Sequence, residues 1–282
     1  MTISENTIEV NSQRWFYRQA APSSKSDKPP VLLLHGLPSH SYTWRQVMPL
    51  LAENGLLALA PDWLGFGASA KPSRRDFPYT PTAYSTALSD LIDALELERL
   101  SLVVQGFLGF AGIQYALRHP QRVERLIILN TPLSTAAKLP WQMQQWGLPL
   151  VGEMLTQDPL LVDRTLEAGS GFVIADQDLA VHRQPFLKTS AVGRALTAVI
   201  RQLALPAAMA ELESGLSTWE VPTLIIWGMA DPWLSPAAAE KLAGDRQNVE
   251  LVKLPEAKHY PQEHWPQEVS PRIVNFLYRQ IS

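Results

Sequence analysis

The chain has 282 residues, 46% of them apolar and 18% charged, with 24 lysines and arginines against 27 aspartates and glutamates. This is the balance of an ordinary globular protein, long enough for a large core, and its net charge of −3 argues against a nucleic-acid partner. No cysteine is present, which excludes disulfides, thiolate-bound metals, iron–sulfur clusters and a cysteine nucleophile.

The opening stretch from Met1 to Gln13 has no basic patch followed by an apolar core, and no apolar run approaches the roughly 18 residues of a membrane span. A cytoplasmic protein with no membrane partner is the expectation. The alternating segments TIEV and RWFYRQA predict a hairpin, followed by a polar loop from Pro22 to Pro30. Six short aliphatic runs then predict strands: VLLLHG (31–36), LLALAPD (56–62), LSLVVQG (100–106), LIILN (126–130), TLIIWG (223–228) and VELVKLP (249–255). Near-continuous apolar runs of this kind belong to parallel strands buried on both faces.

Helical periodicity falls between them. Trp44, Val47, Met48 and Leu51 recur at i, i+3, i+4 and i+7, as do Tyr84, Leu88, Leu91 and Leu95 behind a Thr80 cap with Pro81 in the first turn. A last helix with Ile273, Phe276 and Leu277 on its apolar face starts at Pro266 or Pro271. From Leu133 to Glu220 no strand is predicted, only helical stretches such as 141–155 and 190–204. That is too long for a loop, and an insertion between two strands of an open parallel sheet falls over their carboxyl ends, where ligands bind. The division expected is a core of residues 1–132 and 220–282 with a helical cap at 133–219.

Several segments carry chemistry. His35-Gly36-Leu37-Pro38 ends a strand just before a helix; Gly36 permits a sharp turn that leaves the Leu37 amide able to stabilise an oxyanion, although a tight turn with no chemistry has the same pattern. The loop Asp62-Trp63-Leu64-Gly65-Phe66-Gly67-Ala68-Ser69 reads as structural. Asp231 follows the strand TLIIWG and His259 follows VELVKLP, so both emerge at one sheet edge. Such a pair forms a carboxylate to Nδ1 hydrogen bond that fixes the tautomer and makes Nε2 a base. His259, Glu263 and His264 lack metal-ligand spacing, with Pro261 read as a helix breaker, and no phosphate or dinucleotide loop occurs, so neither metal nor cofactor is expected.

Taken together, the HGLP turn, the D-x-x-G-F-G-x-S loop, the helical insertion, WGMADP and KHYPQE resemble the α/β-hydrolase fold from about residue 10 to about residue 280. The likeness is strongest to the haloalkane dehalogenase and epoxide hydrolase branch, which shows HG-x-P-x-x-S-Y-x-W-R, similar here from His35 to Arg45, and H-Y-x-Q-E, similar here from His259 to Glu263. The resemblance implies an α/β architecture with a mostly parallel eight-stranded sheet, flanking helices and a cap. It also implies the chain order nucleophile, acid, histidine, with the nucleophile on a strained turn after LSLVVQ.

At that turn the chain departs from its family. Dehalogenase-like members carry V-V-Q-D-W-G-G and esterase-like members G-x-S-x-G, whereas here the residues are Val103-Val104-Gln105-Gly106-Phe107-Leu108-Gly109. Glycine occupies the nucleophile's place, and no Ser, Thr or Asp lies between Leu102 and Leu129. A subset of the branch has a similar V-V-Q-G elbow. Covalent catalysis from the elbow has no side chain to run it, but Gly106 preserves the turn, and the amides of Phe107 and Leu37 remain an expected oxyanion hole. Trp after the nucleophile and Asn after HG, the family's halide donors, are replaced by Phe107 and Leu37.

Three functions stay open on these grounds. One is hydrolysis of a small apolar substrate by a non-covalent route, with His259 as base, Asp231 orienting it, and water or the substrate itself as nucleophile. The second is a catalytically silent protein holding a small hydrophobic ligand in a cleft under cap aromatics such as Trp141, Trp146, Phe172 and Phe186. The third is a structural role with the cleft closed.

Overall fold

The computed structural model describes residues 2–24 and 27–280, so Lys25 and Ser26 of the predicted polar loop lie outside the described residues. Strands β1 (Ile3–Val10) and β2 (Gln13–Ala20) form the predicted hairpin. There follow β3 (Val31–Leu34), α1 (Val47–Glu53), β4 (Ala58–Pro61), α2 (Pro81–Ala94), β5 (Leu100–Gln105), α3 (Gly106–Arg118) and β6 (Val123–Leu129). Six helices then intervene: α4 (Trp141–Gln145), α5 (Val151–Leu155), α6 (Leu160–Ser170), α7 (Asp176–Lys188), α8 (Ala191–Gln202) and α9 (Leu205–Ser217). The chain ends with β7 (Thr223–Gly228), α10 (Ala237–Asp245), β8 (Val249–Leu254), α11 (Pro261–His264) and α12 (Pro266–Tyr278).

The eight strands form one sheet in the order β1-β2-β4-β3-β5-β6-β7-β8. Only the contacts of β2 are antiparallel. Along β3 and β5 alternate side chains enter opposite cores. Leu32, Leu34, Leu102 and Val104 pack on one face with α2, α3 and the inserted helices, while Val31, Leu33 and Val103 pack on the other with α1 and α12. Burial on both faces is why these strands read as unbroken apolar runs instead of alternating ones.

Local chemistry explains where helices start and stop. Thr80 accepts a hydrogen bond from the Ala83 amide at 3.2 Å, with Pro81 in the first turn of α2. The stretch predicted helical from 141 to 155 is two short helices, because Pro149 lacks a donor and Leu150 takes a left-handed φ of 61°. The first helix begins only at Val47, behind a 3₁₀ turn at Ser41–Trp44. Pro261, expected to break a helix, instead opens α11, since a first-turn proline forfeits no hydrogen bond. The last helix starts at Pro266, with Pro271 inside it.

The inserted helices lie against the loops that leave the carboxyl ends of the parallel strands. Tyr42, after β3, donates to Asp178 of α7 at 2.8 Å; Gly65, after β4, abuts Ala195 of α8; and the His259 amide, after β8, donates to the Gly169 carbonyl of α6 at 2.9 Å. Among the described residues no single helix is long and apolar enough to cross a membrane, although α8 and α9, bent by 64°, together have the length and composition.

Candidate active site

Strand β5 runs straight into α3 through Gly106, whose φ of +69° is a conformation that glycine adopts without penalty. Phe107 (φ −64°, ψ 138°) and Leu108 (φ 77°, ψ −31°) then make a type II turn before the helix proper. Leucine in the left-handed position of such a turn is strained, a cost of order 1–2 kcal/mol that the fully buried packing of Leu108 offsets. The elbow is therefore a three-residue turn, not a single strained residue.

That turn alters the expected oxyanion hole. The Phe107 carbonyl accepts the Leu37 amide at 3.0 Å. The Leu37 donor, expected to be free for an anion, is thus engaged by the elbow itself, because the Phe107–Leu108 peptide presents its oxygen to it. Leu37's own carbonyl accepts the Tyr260 hydroxyl at 2.9 Å. Gly36 is needed here for close approach more than for its turn: a Cβ on it would lie 2.8 Å from the Gln105 carbonyl and 3.0 Å from the Gly106 Cα.

Asp231 and His259 meet as expected, with His259 Nδ1 2.8 Å from Asp231 Oδ2 and both side chains buried. Asp231 is fixed from every side. Its Oδ1 accepts the amides of Trp233 at 2.8 Å and Leu234 at 3.2 Å, and its Oδ2 also accepts Asn130 Nδ2 at 2.8 Å. Burial by itself would raise the Asp231 carboxyl, but His259, the Trp233 amide and Asn130 hold it below its ordinary range. An ionised Asp231 accepts from Nδ1–H, which leaves Nε2 the basic nitrogen. That Nε2 is buried with no hydrogen-bond partner among the described residues.

The imidazole is held tightly. Phe107 stacks on it at a centroid distance of 5.6 Å and Trp233 abuts it at 4.7 Å. The His259 carbonyl accepts Gln105 Nε2 at 2.9 Å. A Cβ added to Gly106 would lie 3.2 Å from His259 Nε2, so the basic nitrogen faces the position from which an elbow side chain would start.

Three of these positioning residues were not singled out in the sequence. Asn130 follows β6, and its Oδ1 also accepts the Gly228 amide at 2.8 Å, tying the ends of β6 and β7 together. Trp233 lies two residues past Asp231. Gly169 of α6 has no room for a side chain, since a Cβ would fall 2.4 Å from Tyr260 and 2.6 Å from Trp233. An Asn ending a strand run was the only legible signal; Gly169 depends on a contact 90 residues away in the chain.

The remaining motif residues hold the framework. His35 Nε2 accepts the Trp63 amide at 3.1 Å while Nδ1 faces the Gly36 carbonyl at 3.0 Å, which defines a neutral Nδ1–H tautomer. Asp62 accepts the amides of Ser41 and Ala68 at 2.7 Å, so its loop is structural. Glu263 pairs with Arg45 at 2.6 Å and lies 3.2 Å from His182, joining α11, the turn after β3 and α7. His264 packs against Phe172. The His119 ring lies against Tyr115, and the His119 amide caps the last carbonyls of α3. Of the four aromatics read above a cleft, Trp146 and Phe186 are buried core while Trp141 and Phe172 are 68% and 46% exposed, so they do not form one cleft wall.

Residues 29–264 match the model of the alpha/beta hydrolase fold family. The chain is similar to a haloalkane dehalogenase 2 of Mycobacterium tuberculosis, 28% identical over 271 residues that cover 93% of each chain. It is also similar to a haloalkane dehalogenase of Mesorhizobium japonicum, 28% identical over 88% of this chain and 84% of that one. The crystal structure of the haloalkane dehalogenase DbeA from Bradyrhizobium elkani superposes with a TM-score of 0.85 and 27% identity, covering 98% of both chains.

Proposed function

Since the chain belongs to the alpha/beta hydrolase fold family, we propose that it is a hydrolase-type enzyme for a small, largely apolar molecule that works without a protein nucleophile. The observation that carries this reading is the His259–Asp231 pair: a buried carboxylate fixing Nδ1 at 2.8 Å and an unpartnered Nε2 facing Gly106. Asp231 orients the ring and stabilises the imidazolium, His259 takes a proton from the attacker, and water or a group of the substrate attacks. General-base help of this kind contributes roughly 10²- to 10⁴-fold. The Phe107 amide, and the Leu37 amide once the Phe107 carbonyl turns away, would carry the developing charge.

Haloalkane dehalogenation, the activity in the names of these relatives, is not the function proposed. Gly106 has no carboxylate, and Phe107 and Leu37 have no side-chain N–H for a halide. The test is a panel of ester, lactone and epoxide probes. Turnover of at least one, abolished by His259→Ala and only slowed by Gly106→Ala, is expected; a wholly inert protein refutes it.

A second reading, a silent binder of a small hydrophobic ligand, is favoured by one observation: the Leu37 amide is already satisfied by Phe107. Inertness across the panel together with tight ligand binding would select it.

A further inference from the structure

Away from the dyad, the loop between β4 and α2 meets α8 in a concave groove of about 560 Å³. Its charged lining is entirely basic: Lys71, Arg74 and Arg75 from the loop and Arg194 from α8. Lys71 also lines an adjoining hollow of about 440 Å³ that adds Arg14 and Lys188, with the Glu5–Arg18 pair and Asp62 in the same lining. None of these six cations pairs with a carboxylate among the described residues. Lys71 donates to the carbonyls of Gly67 and Ser69, Arg14 to that of Ala68, and Arg194 to the Ser190 hydroxyl.

The acids nearby are committed elsewhere. Glu5 pairs with Arg18, Asp62 accepts the Ser41 and Ala68 amides, and Asp76 accepts the Ser73 hydroxyl. In the larger groove the four cations Lys71, Arg74, Arg75 and Arg194 share the lining with no acid, a concentration of like charge that costs self-repulsion unless an anion relieves it. Lys71 is half-buried. Its pKa is lowered to about 8, by burial first, with Asp62 opposing and Arg14 and Lys188 adding to it. Besides Ser73, the rest of the larger groove is largely apolar, formed by Pro72, Tyr79 and the Ala191, Ala195 and Ala198 stripe of α8.

We propose that this groove is a binding site for a small organic phosphate, its phosphate held by Lys71, Arg74, Arg75 and Arg194 and its apolar part laid on Tyr79 and the alanine stripe. Guanidinium groups from two sides suit a dianion with several acceptor oxygens. The ligand would bridge the core loop and the inserted helices. Neither Gly106, Asp231 nor His259 lines the groove, so the site is independent of the chemistry proposed above.

The test is calorimetric titration with phenyl phosphate, inorganic phosphate and benzoate at low salt. Phenyl phosphate should bind most tightly, weaken as salt rises, and lose about tenfold or more in affinity in the Arg75→Ala/Arg194→Ala double variant, a loss typical of one charge-assisted bond or more. Lys241→Ala/Arg246→Ala, outside the groove, and His259→Ala should bind as the parent does. No binding of phenyl phosphate, or undiminished binding in the groove variant, overturns the site. Inorganic phosphate or benzoate binding as tightly as phenyl phosphate overturns the assignment to an organic phosphate.

Discussion

The amide of Leu37 donates to the carbonyl of Phe107 at 3.0 Å, so the two residues expected to cradle an oxyanion bind each other instead. The cause is the type II turn at Phe107–Leu108, which points a peptide oxygen where a donor pair would be needed. In the free protein the Leu37 amide should therefore exchange slowly with solvent hydrogen. On titration with a tetrahedral transition-state mimic such as a boronate, its resonance should shift, because an anion can reach that donor only by displacing Phe107. An unshifted Leu37 amide in a bound complex would mean that the hole stays closed.

Asp231→Asn should fold and lose turnover by about 10³- to 10⁴-fold, because an amide facing Nδ1 favours the wrong tautomer at Nε2. Asn130→Ala removes the bond to Asp231 Oδ2 and both bonds to the Gly228 backbone, at 2.8 and 3.1 Å. It should destabilise the fold by about 1–3 kcal/mol and also slow the reaction. Urea unfolding and steady-state kinetics on the two variants separate the positioning of Asp231 from its charge.

Gly169→Ala places a Cβ 2.4 Å from Tyr260 and 2.6 Å from Trp233, both in contact with the His259 ring. The α6 helix must back away from the histidine loop, at about 1–3 kcal/mol. A lowered melting temperature with reduced kcat is expected; unchanged kinetics would uncouple the inserted helices from His259.

Acid should destabilise the fold well above the carboxylate range. Burial pushes His35 from 6.5 down to about 4 and His40 from 6.5 down to about 3, with Asp62 opposing in each case. Both fold as neutral rings, while the unfolded chain protonates them near 6.5. Their contribution is complete above that pH and is lost as pH falls toward 4 for His35 and 3 for His40, since the unfolded state then binds more protons. The slope is about 1.4 kcal/mol per pH unit for each histidine. Glu263, raised by burial but lowered overall to about 2 by His182 and Arg45, adds a loss confined to more acid solution. Urea midpoints measured from neutral pH downward should fall steadily; a flat profile to pH 4 would contradict the neutral assignment.

The sheet, its order of runs and the Asp231–His259 meeting were legible because each depends on local pattern: apolar runs for two-sided burial, and strand ends that deliver side chains to one edge. The closure of Leu37 by Phe107 was not, because it turns on the orientation of one peptide, which leaves no mark in side-chain identity beyond a buried leucine at positive φ. Nor were Gly169 and the pairing of Glu263 with His182, which join segments far apart in the chain. The break between α4 and α5 is legible in Pro149, which interrupts the helical stretch 141–155.

Turnover of a hydrolysed probe in heavy-oxygen water, limited to a single cycle, bears most directly on a base that works without a partner nucleophile on the protein. The label should appear in the product alone, with the intact protein unchanged in mass at every time point. A substrate fragment bonded to a side chain, or label exchanged into a protein carboxylate, would contradict it.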